Sequence, residues 1–339
     1  MRKKLILGIL LTAPIFLYSC GKTKRTADTD PEKQEKQQLR VPEFNADSAY
    51  AFTDAQCAFG PRVPNTEAHR KCGAYIAEKF REFGTTVTDQ RADLMAYNGT
   101  ILKARNIIAA TNPEATQRIL LCAHWDSRPW CDNDPDSNNW KKPVMGANDG
   151  ASGVAVMLEI ARQIQQQPID IGIDFICFDA EDYGTPQWET ENSLEDNSHT
   201  WCLGSQYWAS MPHQDNYRAT FGILLDMVGG RGCTFSQESY SQAYAPNIVA
   251  RVWDTAARIG YGQFFPKRNS GYITDDHVPV NQIARIPCID IVPYFTDGPS
   301  SFGPTWHTVN DTMENIDKNV LKAVGQTVMQ VIYEEAQPQ

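Results

Sequence analysis

The sequence predicts an α/β domain, a three-layer sandwich in which a central, mostly parallel twisted sheet is flanked by helices. Three observations predict it. Residues 118–124, 173–179, 221–228 and 286–292 are near-continuous apolar runs, the pattern of strands buried on both faces. Stretches with helical spacing of apolar residues lie before, between and after them. Strands alternating with helices build a sheet covered on both sides.

Taken in chain order, residues 1–40 fall outside that domain. Arg2, Lys3 and Lys4 precede an apolar run, residues 5–17, too short to span a bilayer comfortably, so residues 1–19 read as a signal peptide. The run ends in Leu17-Tyr18-Ser19-Cys20, which resembles the lipobox of bacterial lipoproteins. That resemblance implies cleavage before Cys20, a lipid on its thiol, and an exported protein anchored to a membrane and facing the periplasm or cell exterior. Residues 20–40 are a tether with almost no apolar side chains, unable to bury a core and expected to be disordered. Residues 41–339 show no internal repeat and no break in composition, so they are expected to form a single domain. Residues 66–83 are amphipathic, with Ile76, Phe80 and Phe83 on one face and Gly84 as the stop. Residues 87–94, 104–110 and 118–124 follow as strands. Residues 152–167 form a helix opened by small residues, 173–179 (IDFICFD) a doubly buried strand, and 221–228 and 286–292 two more. A helix over residues 315–335 closes the chain.

Removing residues 1–20 takes away three cations and no anions, leaving 28 Lys+Arg against 41 Asp+Glu and a formal charge of −13. An acidic body argues against nucleic acid and against binding an anionic membrane by charge; any membrane contact runs through Cys20. Cys20 aside, eight cysteines remain, and none is in a C-x-x-C pair, which argues against a structural zinc knuckle or a thioredoxin-like site. Cys122, Cys177 and Cys288 lie in apolar runs and read as packed thiols. Cys131 and Cys202 lie in loops and are the better bridge candidates, export permitting disulfides.

Polar residues gather after the strands. His124 and Asp126 follow RILLCA, Glu181 and Asp182 follow IDFICFDA, and Asp226 ends FGILLD. Open α/β sheets bind ligands at that edge, so groups distant in sequence can converge there. Singly, each has a plain reading: Asp149 in GANDG as a helix cap, Glu181 and Asp182 as solvated loop carboxylates, His307 in TWHT as a hydrogen-bonded loop histidine. Together, two carboxylates and an imidazole with open positions suit catalytic zinc better than Mg²⁺ or Ca²⁺. Of two adjacent acids in a loop, one can bind the metal while the other moves protons. A serine hydrolase is disfavoured because Gly150-Ala151-Ser152-Gly153 lacks the G-x-S-x-G spacing. No phosphate-loop or dinucleotide fingerprint is present.

HWDSR, GANDGASG, FDAEDYG, LLDM and WHT, in this order, resemble the zinc aminopeptidase and glutaminyl cyclase superfamily from about Phe44 to the end of the chain. The resemblance implies a zinc-aminopeptidase-like fold with Asp149, Asp182 and His307 as zinc ligands and Glu181 as general base. Aspartate at position 182 departs from the usual glutamate, one methylene longer. Two activities compete. In a di-zinc aminopeptidase, His124 and Asp226 would hold a second metal. Asp275 in ITDDHVP, the run Phe302-Gly303-Pro304-Thr305-Trp306-His307, the Trp188-bearing loop and GPRVPNTEAH at residues 60–69 resemble secretory-type bacterial glutaminyl cyclases instead. That resemblance implies one zinc per chain and a monomer acting on peptides or proteins with N-terminal glutamine. Asp226 and Asp275 would then bond near the base, with Trp306, Phe302 and either Trp188 or Trp201 as pocket walls.

Overall fold

The computed structural model describes residues 40–190 and 196–337. The expected signal peptide, Cys20 and all of the tether but Arg40 lie outside the described residues. The elements in order are helices α1 (Ala46–Cys57) and α2 (Glu67–Glu82), strands β1 (Thr86–Met95), β2 (Ile101–Thr111) and β3 (Arg118–His124), helix α3 (Ala151–Gln166), strand β4 (Gly172–Phe178), helices α4 (Gln187–Thr190) and α5 (Leu203–Ser210), strand β5 (Phe221–Leu225), helices α6 (Ser239–Tyr244), α7 (Pro246–Arg258) and α8 (His277–Gln282), strand β6 (Cys288–Ile291), and helix α9 (Lys318–Glu335).

The strands form one six-stranded sheet in the order β1-β2-β4-β3-β5-β6. β4, β3, β5 and β6 run parallel, whereas β1–β2 and β2–β4 pair antiparallel. The sheet is mostly parallel, as expected: four of the six strands run parallel and carry the site, and β1 and β2 form an antiparallel ribbon at one edge. Burial explains the division. β3, β4, β5 and β6 are buried throughout, while β1 is at most half-buried along its length. Strands covered on both faces suit parallel pairing, and a ribbon with a wet face suits antiparallel pairing.

Alternation along the central strands separates two cores. Ile119, Leu121, Ala123, Ile173, Phe175, Ile223 and Ile289 pack in a large core whose helical residues include Ile76 and Phe80 of α2, Val154 and Leu158 of α3, and Val324 of α9. Leu120, Cys122, Ile176, Leu224 and Cys288 face a second core with Trp208 of α5 and Val280 of α8. This is the three-layer arrangement. The strand expected over 221–228 ends at Leu225, the strand over 286–292 shrinks to Cys288–Ile291, and the closing helix starts at Lys318 behind an Asp317 cap.

Cys57, Cys72, Cys122, Cys131, Cys177, Cys202, Cys233 and Cys288 are all unpaired. The expectation of a bridge from Cys131 or Cys202 is corrected: both thiols are buried in their own surroundings.

Candidate active site

The carboxyl edge of the parallel strands collects the side chains in question. His124 ends β3, Asp179 to Asp182 follow β4, and Asp226 follows β5. Asp149 precedes α3, Asp275 and Asp276 precede α8, and His307 lies in the loop before α9.

Three anchors fix the backbone beneath these groups. Asp126 accepts the amides of Glu181 at 3.1 Å and Asp182 at 3.2 Å. Asp179 accepts the amides of Ala180 and Arg105 and the Nε2 of His69. Asp311 accepts the amides of Asn148 and Asp149, while Arg62 binds the carbonyls of Met145 and Gly146. Gly150 adopts φ +96°, and a Cβ there would lie 2.4 Å from the Asp126 carbonyl, so the approach to α3 needs glycine. Ala180, Cys202, Met227 and His307 also have left-handed backbone, with φ of 50–57°. Such conformations persist in non-glycine residues only where the surroundings hold them.

Donor atoms of Asp149, Asp182 and His307 lie within 4.8 Å of one another, and all three residues are buried. His307 Nε2 is 3.0 Å from Asp182 Oδ1 and 3.5 Å from Asp149 Oδ2. Asp149 Oδ2 and Asp182 Oδ2 have no hydrogen-bond partner. Buried carboxylate oxygens left that way are costly unless a cation joins them. Burial, with the Asp182 carboxylate next, pushes Asp149 up to about 7, against the lowering influence of His124. A nitrogen and carboxylate donor set, buried and short of cations, fits zinc.

A second group adjoins the first. His124 Nε2 lies 2.9 Å from Asp149 Oδ1 and 3.1 Å from Asp226 Oδ1, and Asp149 is common to both groups. Glu181 stands beside them. Burial lifts it well above the ordinary glutamate range; the Asp182 and Asp275 carboxylates add to the rise and the His124 imidazole opposes it. Asp275 is lifted as well, first by burial and then by Asp226 and Asp276.

A cavity of about 480 Å³ opens over Asp149, Glu181, Asp182, Asp226, Asp275 and His307. Trp201, Phe302 and Trp306 line it too. The rings of Trp306 and Trp201 are both stacked relative to His307, with centroids 3.8 and 6.0 Å away. Trp188 is not among the residues lining it. It stacks on Trp140 and receives Lys141 Nζ 3.4 Å from its ring centre, so of the two candidate tryptophans Trp201 faces the cavity.

The roles of several residues at the site went unread in the sequence, Cys202 being read there only as a bridge candidate. Asp132 lies 3.5 Å from His307 Nδ1 and takes a two-pronged contact from Arg128, which holds its carboxyl below the usual range despite burial. Arg128 also stands over the Trp201 ring at 4.4 Å. Cys202 donates its thiol to Glu181 Oε1 at 3.3 Å. Nothing in the spacing of these residues signals their partners.

The chain resembles the solved glutaminyl cyclase of Tannerella forsythia, with 56% identity, a TM-score of 0.83, and coverage of 86% of this chain and 99% of that one. It also resembles the Bacteroides thetaiotaomicron glutaminyl cyclase, solved with N-acetylhistamine, at 55% identity and a TM-score of 0.83, covering 87% and 99%. Aminopeptidase YwaD of Bacillus subtilis is 27% identical over 81% of this chain, and the match spans 54% of that relative's length. The family model of peptidase family M28 matches residues 106–332, the stretch that supplies every candidate ligand above. The chain belongs to peptidase family M28.

Proposed function

We propose that this protein is a zinc-dependent glutaminyl-peptide cyclotransferase, converting N-terminal glutamine of peptides or proteins to pyroglutamate with release of ammonia. The observation that carries the proposal is the buried Asp149, Asp182 and His307 cluster beside Glu181 at the floor of an aromatic-walled cavity. The likeness to two bacterial glutaminyl cyclases over most of the chain supports it.

Zinc held by Asp149, Asp182 and His307, one ion per chain, would polarise the side-chain carbonyl of the substrate. The α-amine of the terminal glutamine attacks the carbonyl carbon of its own side-chain amide, a C–N bond forms, and the bond to the departing nitrogen breaks. Glu181 takes a proton from the attacking amine and returns it to that nitrogen, which leaves as ammonia. Asp226 and Asp275 share the carboxyl network around Glu181. Trp306, Phe302 and Trp201 hold the flexible side chain folded back, and such restriction draws on the roughly 7–11 kcal/mol that proximity offers.

A second reading is a di-zinc aminopeptidase. The His124, Asp149 and Asp226 group favours it, since it shares Asp149 with the first cluster. Mass spectrometry of a glutamine-terminated peptide incubated with the protein separates the two, because loss of ammonia and gain of water have opposite signs. Ammonia loss with about one zinc per chain is expected. Free N-terminal residues from leucine peptides, with two zincs, would establish the aminopeptidase.

The proposal includes export, a lipid at Cys20 and a monomer. Metabolic labelling with a fatty-acid analogue should mark the wild type and not Cys20→Ser, and size-exclusion chromatography reads the oligomeric state. Exported proteins whose processing leaves glutamine at the N-terminus are the proposed substrates. Fewer pyroglutamate termini on them in a strain lacking the protein is the expected result.

A further inference from the structure

We propose that Cys202 is a positioning residue for Glu181, its thiol fixing the orientation of the carboxyl that carries the proton. The inference rests on the reading of Glu181 given above.

The contact is direct. Cys202 Sγ donates to Glu181 Oε1 at 3.3 Å, and Cys202 N donates to the Glu181 carbonyl at 3.0 Å. One residue therefore grips both the backbone and the side chain of Glu181. The first turn of α5 lies along the segment before Glu181. Leu203 N donates to the Ala180 carbonyl at 3.1 Å, and a Cβ on Gly204 would come within 2.1 Å of the Asp179 carbonyl.

The backbone supplies an independent observation. Cys202 has φ +57°, a conformation that costs a residue with a side chain. Glycine would adopt it without penalty but would lose the thiol.

The chemistry explains why a neutral donor is useful. Donor atoms of Glu181, Cys202 and Asp275 lie within 4.8 Å of one another, all buried. Among the described residues the Cys202 thiol is the one side-chain donor to the Glu181 carboxyl. The thiol bonds that carboxyl without adding a charge to the cluster. With Oε1 engaged, Oε2 has no protein partner among the described residues and is the oxygen left for proton transfer.

The test compares Cys202→Ala and Cys202→Ser in the full chain. Cys202→Ala should lower kcat about three- to tenfold, the worth of one modest hydrogen bond, with KM and zinc content unchanged. Cys202→Ser, which keeps a donor, should recover most of that loss. Wild-type kcat in the alanine variant, or a serine variant as slow as the alanine one, would overturn the proposal. The infrared S–H band, isolated as the difference between wild type and Cys202→Ser, gives a readout that needs neither the alanine variant nor turnover. It should lie at the lowered frequency of a bonded thiol and move in Glu181→Gln; a band at the unbonded position would also overturn the proposal. If the wild type fails to cyclise glutamine, the functional reading falls, while the S–H band still reports on the contact.

Discussion

Replacing Glu181 by glutamine keeps the side chain's volume and removes its ability to take and return a proton. Glu181→Gln should therefore retain its zinc and lose about 10²- to 10⁴-fold in kcat; paired metal analysis and kinetics check this, and loss of metal would show that Glu181 is a ligand. His307→Ala removes a donor from the cluster. Its zinc content should fall well below that of the wild type, and its melting temperature should approach that of chelator-treated protein. Asp132 acts one step further out, near His307 Nδ1. Asp132→Asn should weaken zinc about 10- to 100-fold, measured by competition with a chromogenic chelator, because partners behind a ligand set its orientation and basicity. Ligand and proton-transfer candidates were legible in the sequence because each sits in a recognisable motif, after a strand for Glu181 and Asp182, before α3 for Asp149 and in the loop before α9 for His307. The contacts of Asp132, Asp311, Arg62 and Cys202 were not, although Arg62 lies in the GPRVPNTEAH motif and Cys202 reads as a bridge candidate. Each works through a backbone amide, a carbonyl or another side chain, mostly far away in sequence. Trp188 and Trp201 could not be told apart from composition, since both are tryptophans of one loop region and only the tertiary stack on Trp140 separates them.

At the scale of elements, burial decides what a sequence discloses. β3 and β4 read out cleanly because both of their faces are covered, leaving unbroken apolar runs. α1 escaped notice because its buried positions are Ala49, Thr53 and Gln56, and a face of small and polar residues has no apolar stripe. α8 was hidden by Pro279, which is tolerated because it falls in the first turn, where no helical hydrogen bond is lost. α5 is short, and its role is to lie on the loop that bears Glu181 and Asp182. Gly204→Ala should test that contact. With backbone atoms 2.1 and 2.8 Å from the added methyl, α5 must move. The expected result is a loss of about 1–3 kcal/mol in denaturant unfolding together with reduced turnover, because the same shift drags the acidic pair. A stable but inactive variant would mean that the loop moves while the helix stays.

For the whole molecule, the unpaired thiols make a direct prediction. With Cys20 replaced by serine, thiol titration after denaturation should count eight, and the native protein should react slowly, since burial pushes Cys72 and Cys233 up to about 12 and Cys57 to about 11. A count of six would reveal a disulfide. The packing of the two ends carries a different kind of consequence. α1 packs on α3 and α9, Phe44 N donates to Gln326 Oε1 at 2.8 Å, Gln326 Nε2 donates to the Pro42 carbonyl at 3.1 Å, and Lys322 pairs with Glu43. A chain is synthesised from its N-terminus, so the segment of Phe44 and α1, the first helix among the described residues, waits for α9 before Phe44 is covered by Gly325 and its neighbours. Until then it stays open to proteases and to neighbouring unfinished chains. A product stopped ahead of Lys318 is therefore expected to be degraded or to aggregate, so synthesis of α9 acts as the final checkpoint on a usable molecule.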